Sequence, residues 1–395
     1  MTRPRVVLKP GREKPVRNDH PWVYSGAIAR IEGQPADGDV IDVTDARGGF
    51  LARGLLNRRS QIVARLFTRE ADDDLTPELL HARIAAAAAR RTGTLPRDTD
   101  AYRVVFSESD GLPGLIVDRY GEILVLQCST LGLQQRKGAI VAALRDLFNP
   151  VAIIERTETE VLTREGLVVA DSTLHGELPQ TLEITEYGLR FLVDPLGGQK
   201  TGFFLDQREN RRRVAAYCAD ARVLNCFAYT GAFAVYAAAA GAAQVVNIDS
   251  SADALALAEQ QLALNGYTSA RDEYHVADVF QALRVYRERG ERFDLIILDP
   301  PKFAHSADQV LRATRGYKDI NLLALQLLNP NGILATFSCS GLVSPDLFQK
   351  VVFGASIDAE RPAQIIERLT QAPDHPVLLS FPESEYLKGL ICRAL

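Results

Sequence analysis

Residues 293–303 read FDLIILDPPKF, and they point most directly to the fold of the carboxyl-terminal half of the chain. The mostly apolar run Phe293–Leu298 has the length and composition of a buried strand, and Asp299 with two prolines ends it. A second apolar run, 333–337, ends in the same way at Ser338-Cys339-Ser340. Buried strands that end in polar residues are typical of open α/β sheets, where chemistry collects at the carboxyl ends of the strands.

The same pattern extends over residues 178–395, where strand and helix signals alternate strictly. The sequence predicts strands over 223–227, 245–249, 274–276, 293–299 and 333–338, and helices over 232–240, 252–265 and 319–328. Such alternation favours parallel βαβ units and a doubly wound, Rossmann-like sheet. A hairpin over 181–194, turning near Gly188, is expected to lead into this domain.

Two further domains are expected before it. Residues 1–72 show short apolar runs separated by Pro, Gly and Asp turns, which predicts an all-β domain. Residues 73–177 mix strand and helix signals, which predicts a small central α/β domain without a catalytic constellation. Its first helix is expected to start at Thr76-Pro77-Glu78, because Thr caps a helix and Pro suits its first turn.

Charge is distributed unevenly along the chain. The net charge is -5, yet residues 1–69 hold thirteen Lys/Arg against seven Asp/Glu. Basic residues interleaved with aromatic rings suit RNA, because cations meet phosphates and rings stack on unpaired bases. The predicted RNA-binding residues are Arg3, Arg5, Lys9, Arg12, Lys14, Arg17 and Trp22. The alternatives are a solvated charged face and a Trp22 ring that merely closes a small core.

Several classes of protein are disfavoured by composition. No apolar run approaches the roughly 18 residues of a membrane span, and the mixed, charged start of the chain is unlike a secretory signal. The five cysteines are widely spaced, and the six histidines lack metal-ligand spacing, so neither disulfides nor a metal site are expected. We therefore expect a cytoplasmic protein with neither a membrane partner nor a metal.

A nucleotide-type site is predicted where residues 225–233, NCFAYTGAF, join a strand to a helix. Only Gly231 is present, so the dinucleotide fingerprint fails, and a nicotinamide dehydrogenase is disfavoured. Asp249 can accept ribose hydroxyls and Asp278 can meet an adenine amino group, unless both merely cap helices. Ribose and adenine without a pyrophosphate predict S-adenosylmethionine. The predicted cofactor residues here are Asn225, Phe227, Tyr229, Thr230, Gly231, Asp249, Ser250, Asp278 and Val279.

A catalytic pair is predicted at the two strand ends. Most free cysteines are small buried hydrophobes, but Cys339 lies between two serines and before Gly341, where a thiol can be exposed and reactive. Asp299 can hydrogen-bond the Watson–Crick edge of a cytosine that has left its stack. Addition of the thiolate at carbon-6 would make carbon-5 nucleophilic enough to take a methyl group. Lys302 stands where Asp-Pro-Pro-Tyr turns carry the aromatic residue used to methylate exocyclic nitrogens.

Four motifs together closely resemble the ribosomal RNA large subunit methyltransferase I family. They are 197–208 (GGQKTGFFLDQR), 224–231 (LNCFAYTG), 299–303 (DPPKF) and 336–341 (TFSCSG). The resemblance covers the whole chain. It implies an N-terminal PUA domain, a central α/β domain and a Rossmann-like methyltransferase domain that makes 5-methylcytosine in 23S ribosomal RNA. It also implies Cys339 as nucleophile, Asp299 as base-holder beside the cofactor, and Phe204 and Asp206 near the methionine end of the cofactor.

One departure and several alternatives remain open at this stage. The broader group of RNA 5-methylcytosine enzymes has a second cysteine where Lys302 stands, so the base for carbon-5 is Lys302 or a water, or Lys302 contacts a phosphate. A 23S guanine methyltransferase is the nearest enzymatic alternative, but such relatives lack the cysteine at position 339. A non-catalytic RNA-binding assembly factor is the second alternative. A homodimer is one option for the oligomeric state.

Overall fold

The computed structural model describes residues 3–157 and 159–395 of the chain. The chain divides into two compact units. The first comprises the chain up to Tyr187 together with Val193–Leu205 and Pro373–Ser384. The second comprises Gly188–Leu192, Asp206–Ala372 and Glu385–Leu395. Residues 1–72 and 73–177, predicted as separate domains, therefore fall in the same unit.

The first unit contains a six-stranded sheet near its amino terminus. Its strands are β1 (Arg5–Leu8), β2 (Trp22–Tyr24), β3 (Ile28–Glu32), β4 (Val40–Thr44), β5 (Phe50–Leu56) and β6 (Ile62–Thr68), in the order β2-β6-β5-β4-β1-β3. β1 runs parallel to β4, and the other neighbours are antiparallel. The all-β prediction needs one correction, because the short helix α1 (Lys14–Arg17) follows β1, with Pro15 in its first turn.

A five-stranded sheet forms the rest of the core of the first unit. Its strands are β7 (Ala101–Phe106), β8 (Leu115–Tyr120), β9 (Ile123–Cys128), β10 (Ala152–Glu155) and β11 (Ser172–Gly176), in the order β11-β10-β9-β8-β7. Leu55 and Phe67 of the first sheet belong to the same buried cluster as Val105, Leu124 and Ile153. This shared apolar core explains why the predicted boundary near residue 72 does not separate two compact units.

The helices of the first unit agree with the sequence in part. They are α2 (Pro77–Thr92), α3 (Leu131–Gln134), α4 (Lys137–Phe148) and α5 (Thr159–Arg164). Thr76 caps α2 as predicted, because its hydroxyl accepts the N–H of Leu79 at 3.2 Å. Helices α3 and α4 are separate, because the chain turns at residues 135 and 136.

The strands of the predicted hairpin flank Gly188. They are β12 (Leu182–Glu186) and β13 (Leu189–Val193). Tyr187 has a φ of 52° and Gly188 a φ of 78°. Two successive residues at positive φ are typical of the two-residue turn whose twist suits antiparallel strands, and glycine adopts that conformation without steric strain.

The second unit is built on a seven-stranded sheet. Its strands are β14 (Arg222–Cys226), β15 (Gln244–Asp249), β16 (Glu273–Val276), β17 (Phe293–Leu298), β18 (Leu328–Ser338), β19 (Ala363–Thr370) and β20 (Lys388–Ala394), in the order β16-β15-β14-β17-β18-β20-β19. The first five in that order run parallel, as the alternation predicts. The edge differs from a fully parallel sheet, because β20 is antiparallel to β18 and β19 is antiparallel to β20.

Six helices accompany this sheet in the described residues. They are α6 (Arg208–Ala215), α7 (Ala232–Ala239), α8 (Ala252–Leu264), α9 (Val279–Glu288), α10 (Val310–Leu327) and α11 (Pro345–Asp358). The helix predicted over 319–328 thus begins nine residues earlier, at Val310. Fully buried residues of the central strands, such as Leu224, Ile296 and Leu334, form the core with the helices. Within the described residues, no helix combines the length and apolar character needed to cross a bilayer.

Candidate functional site

The register of the parallel strands brings the predicted site residues to one edge of the sheet. Leu298 at the end of β17 pairs with Cys226 on one side and with Thr336 on the other. The residues that follow these three positions therefore emerge side by side at the carboxyl end of the sheet. This edge carries the cofactor loop after β14, the DPPKF turn after β17 and the cysteine after β18.

The loop that follows β14 has an unusual backbone. Phe227, Tyr229 and Gly231 have φ values of 58°, 47° and 74°. A Cβ atom at Gly231 would lie 2.6 Å from the Cβ of Ala258 in α8, so only glycine lets α7 begin this close to α8. Thr230 is 6% exposed, and its hydroxyl has no hydrogen-bond partner within the part of the chain that the structure describes. An unsatisfied hydroxyl in a tightly wound loop fits a ligand contact.

The two predicted carboxylates play different parts. Asp249 is half-buried and accepts the N–H groups of Tyr229 at 2.8 Å and of Ser251 at 2.9 Å. It does not cap the next helix, because the hydroxyl of Ser251 does so. Asp278 does cap α9, accepting the N–H of Gln281 at 3.0 Å. Helix capping, the alternative to cofactor binding considered from the sequence, is therefore observed at Asp278 and not at Asp249.

Three other predicted cofactor residues differ in accessibility. Asn225 is 1% exposed and its amide donates to Asn247 of β15 at 2.9 Å, which leaves almost no surface for a ligand. Ser250 is exposed, whereas Val279 is buried at the start of α9. Asn225 thus bridges two strands, whereas Ser250 faces solvent.

The two residues predicted at the methionine end of the cofactor have different surroundings. Phe204, in the first unit, is half-buried, and the ammonium of Lys200 lies 4.6 Å from its ring centroid. Asp206, in the second unit, is 4% exposed and accepts the hydroxyl of Tyr386 at 2.5 Å. Tyr386 was not foreseen, because it lies 180 residues further along the chain, in the segment just before β20.

Asp299 has a partner that the sequence analysis missed. It is half-buried at the end of β17, and the amide of Gln207 donates to its Oδ1 at 2.9 Å. The side-chain amide of Asn210 in turn donates to the side-chain oxygen Oε1 of Gln207 at 2.6 Å. Gln207 lies inside the quoted 197–208 motif, so the signal was present although the residue was not singled out. These two linked side-chain amides orient the carboxylate of Asp299 at the carboxyl end of the sheet.

Cys339 stands apart from the other cysteines. Its side chain is partly exposed, and its Sγ lies 4.0 Å from the carbonyl oxygen of Pro300 in the neighbouring turn. The other four are buried: Cys128, Cys218, Cys226 and Cys392. Burial raises the pKa of the Cys218 and Cys392 thiols to about 12 and that of the other two still further. Those four suit the core, as predicted from the sequence for Cys128, Cys226 and Cys392, and Cys339 suits chemistry.

Tyr317 of α10 fixes the serines on both sides of Cys339. The hydroxyl of Ser338 donates to the phenol oxygen of Tyr317 at 3.0 Å. The same phenol oxygen lies 3.1 Å from the Oγ of Ser340. The N–H of Ala304 also donates to Ser340 Oγ, at 3.4 Å. Burial raises the pKa of Tyr317, so it stays a neutral phenol that can hold both serines. This contact joins a helix to a distant strand end, so it could not be predicted from the local sequence.

Lys302 lies exposed in the turn after Asp299 and Pro301. Its exposure leaves the ammonium accessible to solvent and to a bound polyanion. Within the described residues, no group of three or more His, Cys, Asp or Glu side chains is arranged to hold a metal ion.

The basic segment at the start of the chain is only partly available for RNA. The guanidinium of Arg3 pairs with Asp74 at 2.7 Å, and that of Arg17 pairs with Asp45 at 2.8 Å. The predicted residues with exposed side chains are Lys9, Arg12, Lys14 and Arg17, and Arg5 is half-buried. Phosphate binding by Arg3 or Arg17 would compete with an existing ion pair.

Trp22 is held inside the first unit. Its indole N–H donates to Glu108 at 2.7 Å, and its ring centroid lies 4.6 Å from that of Phe381. The guanidinium of Arg65 lies 5.5 Å from the same ring. These contacts favour the alternative in which Trp22 closes a small core. The neighbouring Tyr24, 45% exposed, is the ring left open for stacking on a base.

Comparisons with known proteins show the family of the chain. The chain is 48% identical to ribosomal RNA large subunit methyltransferase I of Klebsiella pneumoniae (strain 342) over 394 residues, which cover 99% of this chain and 98% of that protein. The protein of the same name in Enterobacter sp. (strain 638) is 47% identical and covers 99% of both chains. The chain belongs to the ribosomal RNA large subunit methyltransferase I family.

Domain comparisons match the family assignment. A model of S-adenosylmethionine-dependent methyltransferases matches residues 161–392, and a model of PUA-like domains matches residues 6–69. The expected fold class, with a β-rich PUA-like start and a methyltransferase sheet, is thereby confirmed for this member of the family. S-adenosylmethionine is its cofactor, as predicted.

Solved structures share the same fold. A methyltransferase complexed with SAH aligns with a TM-score of 0.85 at 23% identity, covering 98% of this chain and 99% of that one. An S-adenosylmethionine-dependent methyltransferase from Streptococcus mutans aligns with a TM-score of 0.84, also at 23% identity and with the same coverage. At this identity the likeness concerns the fold of the chain alone.

Proposed function

We propose that this methyltransferase modifies carbon-5 of a cytosine in 23S ribosomal RNA through a transient bond to Cys339. The observation that carries the proposal is the position of Cys339, which is the partly exposed cysteine of the chain and lies 4.0 Å from the Pro300 carbonyl, beside Asp299. The names of its relatives support a large-subunit ribosomal RNA as substrate. A guanine methyltransferase would have no use for a thiol at this strand end.

The cofactor is held by the edge of the sheet in this proposal. The loop 227–231 offers the unsatisfied hydroxyl of Thr230. Asp249 would accept ribose hydroxyls, for which a carboxylate at the end of the second strand is suited. When bound, S-adenosylmethionine supplies a methyl group on a positively charged sulfur.

The reaction needs a nucleophile because carbon-5 of cytosine does not attack unaided. The thiolate of Cys339 adds to carbon-6, so a carbon–sulfur bond forms and the electron pair of the 5,6 double bond becomes available at carbon-5. After carbon-5 has been methylated, a base removes its proton. The double bond re-forms, the carbon–sulfur bond breaks, and Cys339 returns as thiolate.

Asp299 and Lys302 have separate tasks in this scheme. The carboxylate of Asp299, oriented by Gln207 at 2.9 Å, holds the Watson–Crick edge of the flipped cytosine. Lys302 is exposed in the following turn, where its ammonium can contact an RNA phosphate or take part in proton transfer. A water molecule is the other candidate for removing the carbon-5 proton.

The decisive experiment uses Cys339→Ala. We expect the variant to bind S-adenosylmethionine with nearly parental affinity in calorimetry and to lose methylation of unmodified 23S transcript, read by mass mapping of the RNA. Cys392→Ala is the matched control, because it removes a thiol buried in the sheet and should keep the activity. Methyl transfer by Cys339→Ala at the parental rate would contradict the covalent mechanism.

A second readout tests the adduct directly. Fluorine at carbon-5 of cytosine cannot leave as a proton does, so a transcript containing 5-fluorocytidine should remain bonded to the enzyme after methylation. We expect a protein–RNA complex stable to denaturing gels with the parental protein and with Cys392→Ala, and none with Cys339→Ala. Methylated guanosine in the mapped RNA would instead support the guanine alternative, and absence of any methylation by the parental protein would support the non-catalytic one.

A further inference from the structure

Lys388 lies next to the proposed nucleophile although nothing in the local sequence connects them. It is the first residue of β20 and pairs with Ser338 of the antiparallel strand β18, one residue before Cys339. Directly opposed residues of antiparallel strands have Cβ atoms about 5 Å apart. The side chain of Lys388 therefore starts beside the turn that carries the thiol.

The ammonium of Lys388 reaches into that turn. It donates to the carbonyl oxygens of Ser340 and Val343, each at 2.7 Å. Lys388 is only 5% exposed, and among the described residues no carboxylate lies within ion-pair distance of its Nζ. Burying an ammonium whose partners are two neutral carbonyls costs stability, and a role in the neighbouring site would account for a lysine at this position.

We propose that Lys388 is a positioning residue for Cys339: it clamps the turn 340–343 and places a positive charge beside the thiol, which favours the reactive thiolate. This inference rests on the proposed covalent role of Cys339. A fixed cation near a thiol stabilises the thiolate in the same way as the lysine or imidazolium partners of other reactive cysteines.

The charges around the pair act in both directions. Burial lowers the pKa of Lys388 to about 8, whereas the nearby Cys339 and Glu385 raise it, so the lysine keeps most of its proton at neutral pH. On the side of the thiol, Tyr317 is a neutral phenol, and Asp299 directly precedes Pro300, whose carbonyl oxygen lies 4.0 Å from the Sγ of Cys339. The negative charge of Asp299 favours the neutral thiol of Cys339, whereas the positive charge of Lys388 favours the thiolate.

The test measures the thiol itself. The rate at which iodoacetamide alkylates Cys339 is followed against pH by mass spectrometry of the peptide that contains it, in the parental protein, in Lys388→Met and in Lys388→Arg. Methionine keeps the length of the side chain without the charge, and arginine keeps the charge. We expect the midpoint for Lys388→Met to rise by at least about one pH unit, which corresponds to a roughly tenfold lower rate at neutral pH. Lys388→Arg should lie between the two.

Two outcomes would overturn the inference. One is a folded Lys388→Met variant, checked by circular dichroism, with the parental midpoint. The other is a folded Lys388→Arg variant whose midpoint is as high as that of Lys388→Met, because arginine keeps the positive charge.

Failure of this inference can be told apart from failure of the proposed function. Continued methylation by Cys339→Ala contradicts the function whatever the midpoint is. Loss of methylation in Cys339→Ala together with an unchanged midpoint in Lys388→Met keeps the function and removes Lys388 from it.

Discussion

Replacing Gly231 with alanine tests how the cofactor loop is built. The φ of 74° costs a residue with a side chain about 1–2 kcal/mol. The new Cβ would also lie 2.6 Å from the Cβ and 3.0 Å from the Cα of Ala258, so α7 must move away from α8. Overpacking of this kind costs about 1–3 kcal/mol. We expect Gly231→Ala to lower the free energy of unfolding by about 2–5 kcal/mol.

Gly241→Ala is the matched control for this change. Gly241 follows the same helix and has a φ of 85°, but a Cβ there would meet nothing within 4 Å. Its expected cost is the backbone term alone, about 1–2 kcal/mol. Urea unfolding measures both variants, and calorimetry measures their affinity for S-adenosylmethionine, which only Gly231→Ala should weaken. Equal stabilities of the two variants, with equal cofactor affinities, would refute the packing argument.

Two further predictions concern the catalytic turn and the RNA. Tyr317→Phe removes the hydroxyl that holds both serines beside Cys339, so we expect a loss of about 1–3 kcal/mol in urea unfolding and slower methylation with unchanged cofactor affinity. Parental stability and rate would contradict that role. Reversing the charge at Arg5, Lys9 and Arg12 should weaken 23S RNA binding and make the slope of log affinity against log salt less steep by about 2, measured by filter binding. An unchanged slope would show that the phosphate contacts are made by other residues.

The sequence predicted the parallel part of the methyltransferase sheet because its signals are local. Runs such as Phe293–Leu298 are apolar, short and closed by turn residues, and the strands follow them closely. The antiparallel edge was not predictable in this way. β20 pairs with β18 on one side and β19 on the other, and such pairing depends on contacts between distant parts of the chain. The charged sequence of α6, RENRRRVA, likewise suggests a surface helix, although Arg208 and Arg211 are buried.

The compact units differ from the predicted domains for a related reason. Pro373–Ser384 lies far along the chain, yet it belongs to the first unit, where Phe381 packs on Trp22 and the N–H of Arg103 donates to Asp374 at 2.9 Å. Composition changes along a sequence cannot reveal a segment that returns to an earlier core. The same holds for Leu55, whose contacts join two regions that were predicted apart.

In the candidate site, too, some residues can be recognised from their neighbours in the sequence, and others only from contacts made in the folded chain. Cys339 could be singled out because its immediate neighbours are small and polar, which local sequence records. Tyr317, Gln207 and Lys388 could not, because each acts through one or two hydrogen bonds that exist only after the chain has folded. Residues that carry the chemistry are thus more visible in a sequence than residues that position them.

The two groups that hold the turn of Cys339 act on different atoms of one residue. Tyr317 contacts the hydroxyl of Ser340, whereas Lys388 contacts its backbone carbonyl. The phenol is neutral and the ammonium is charged. Loss of the phenol should therefore loosen the turn without moving the alkylation midpoint of Cys339, whereas loss of the ammonium should do both. Position and charge at this thiol are consequently separable by experiment, because the fold assigns them to two different side chains.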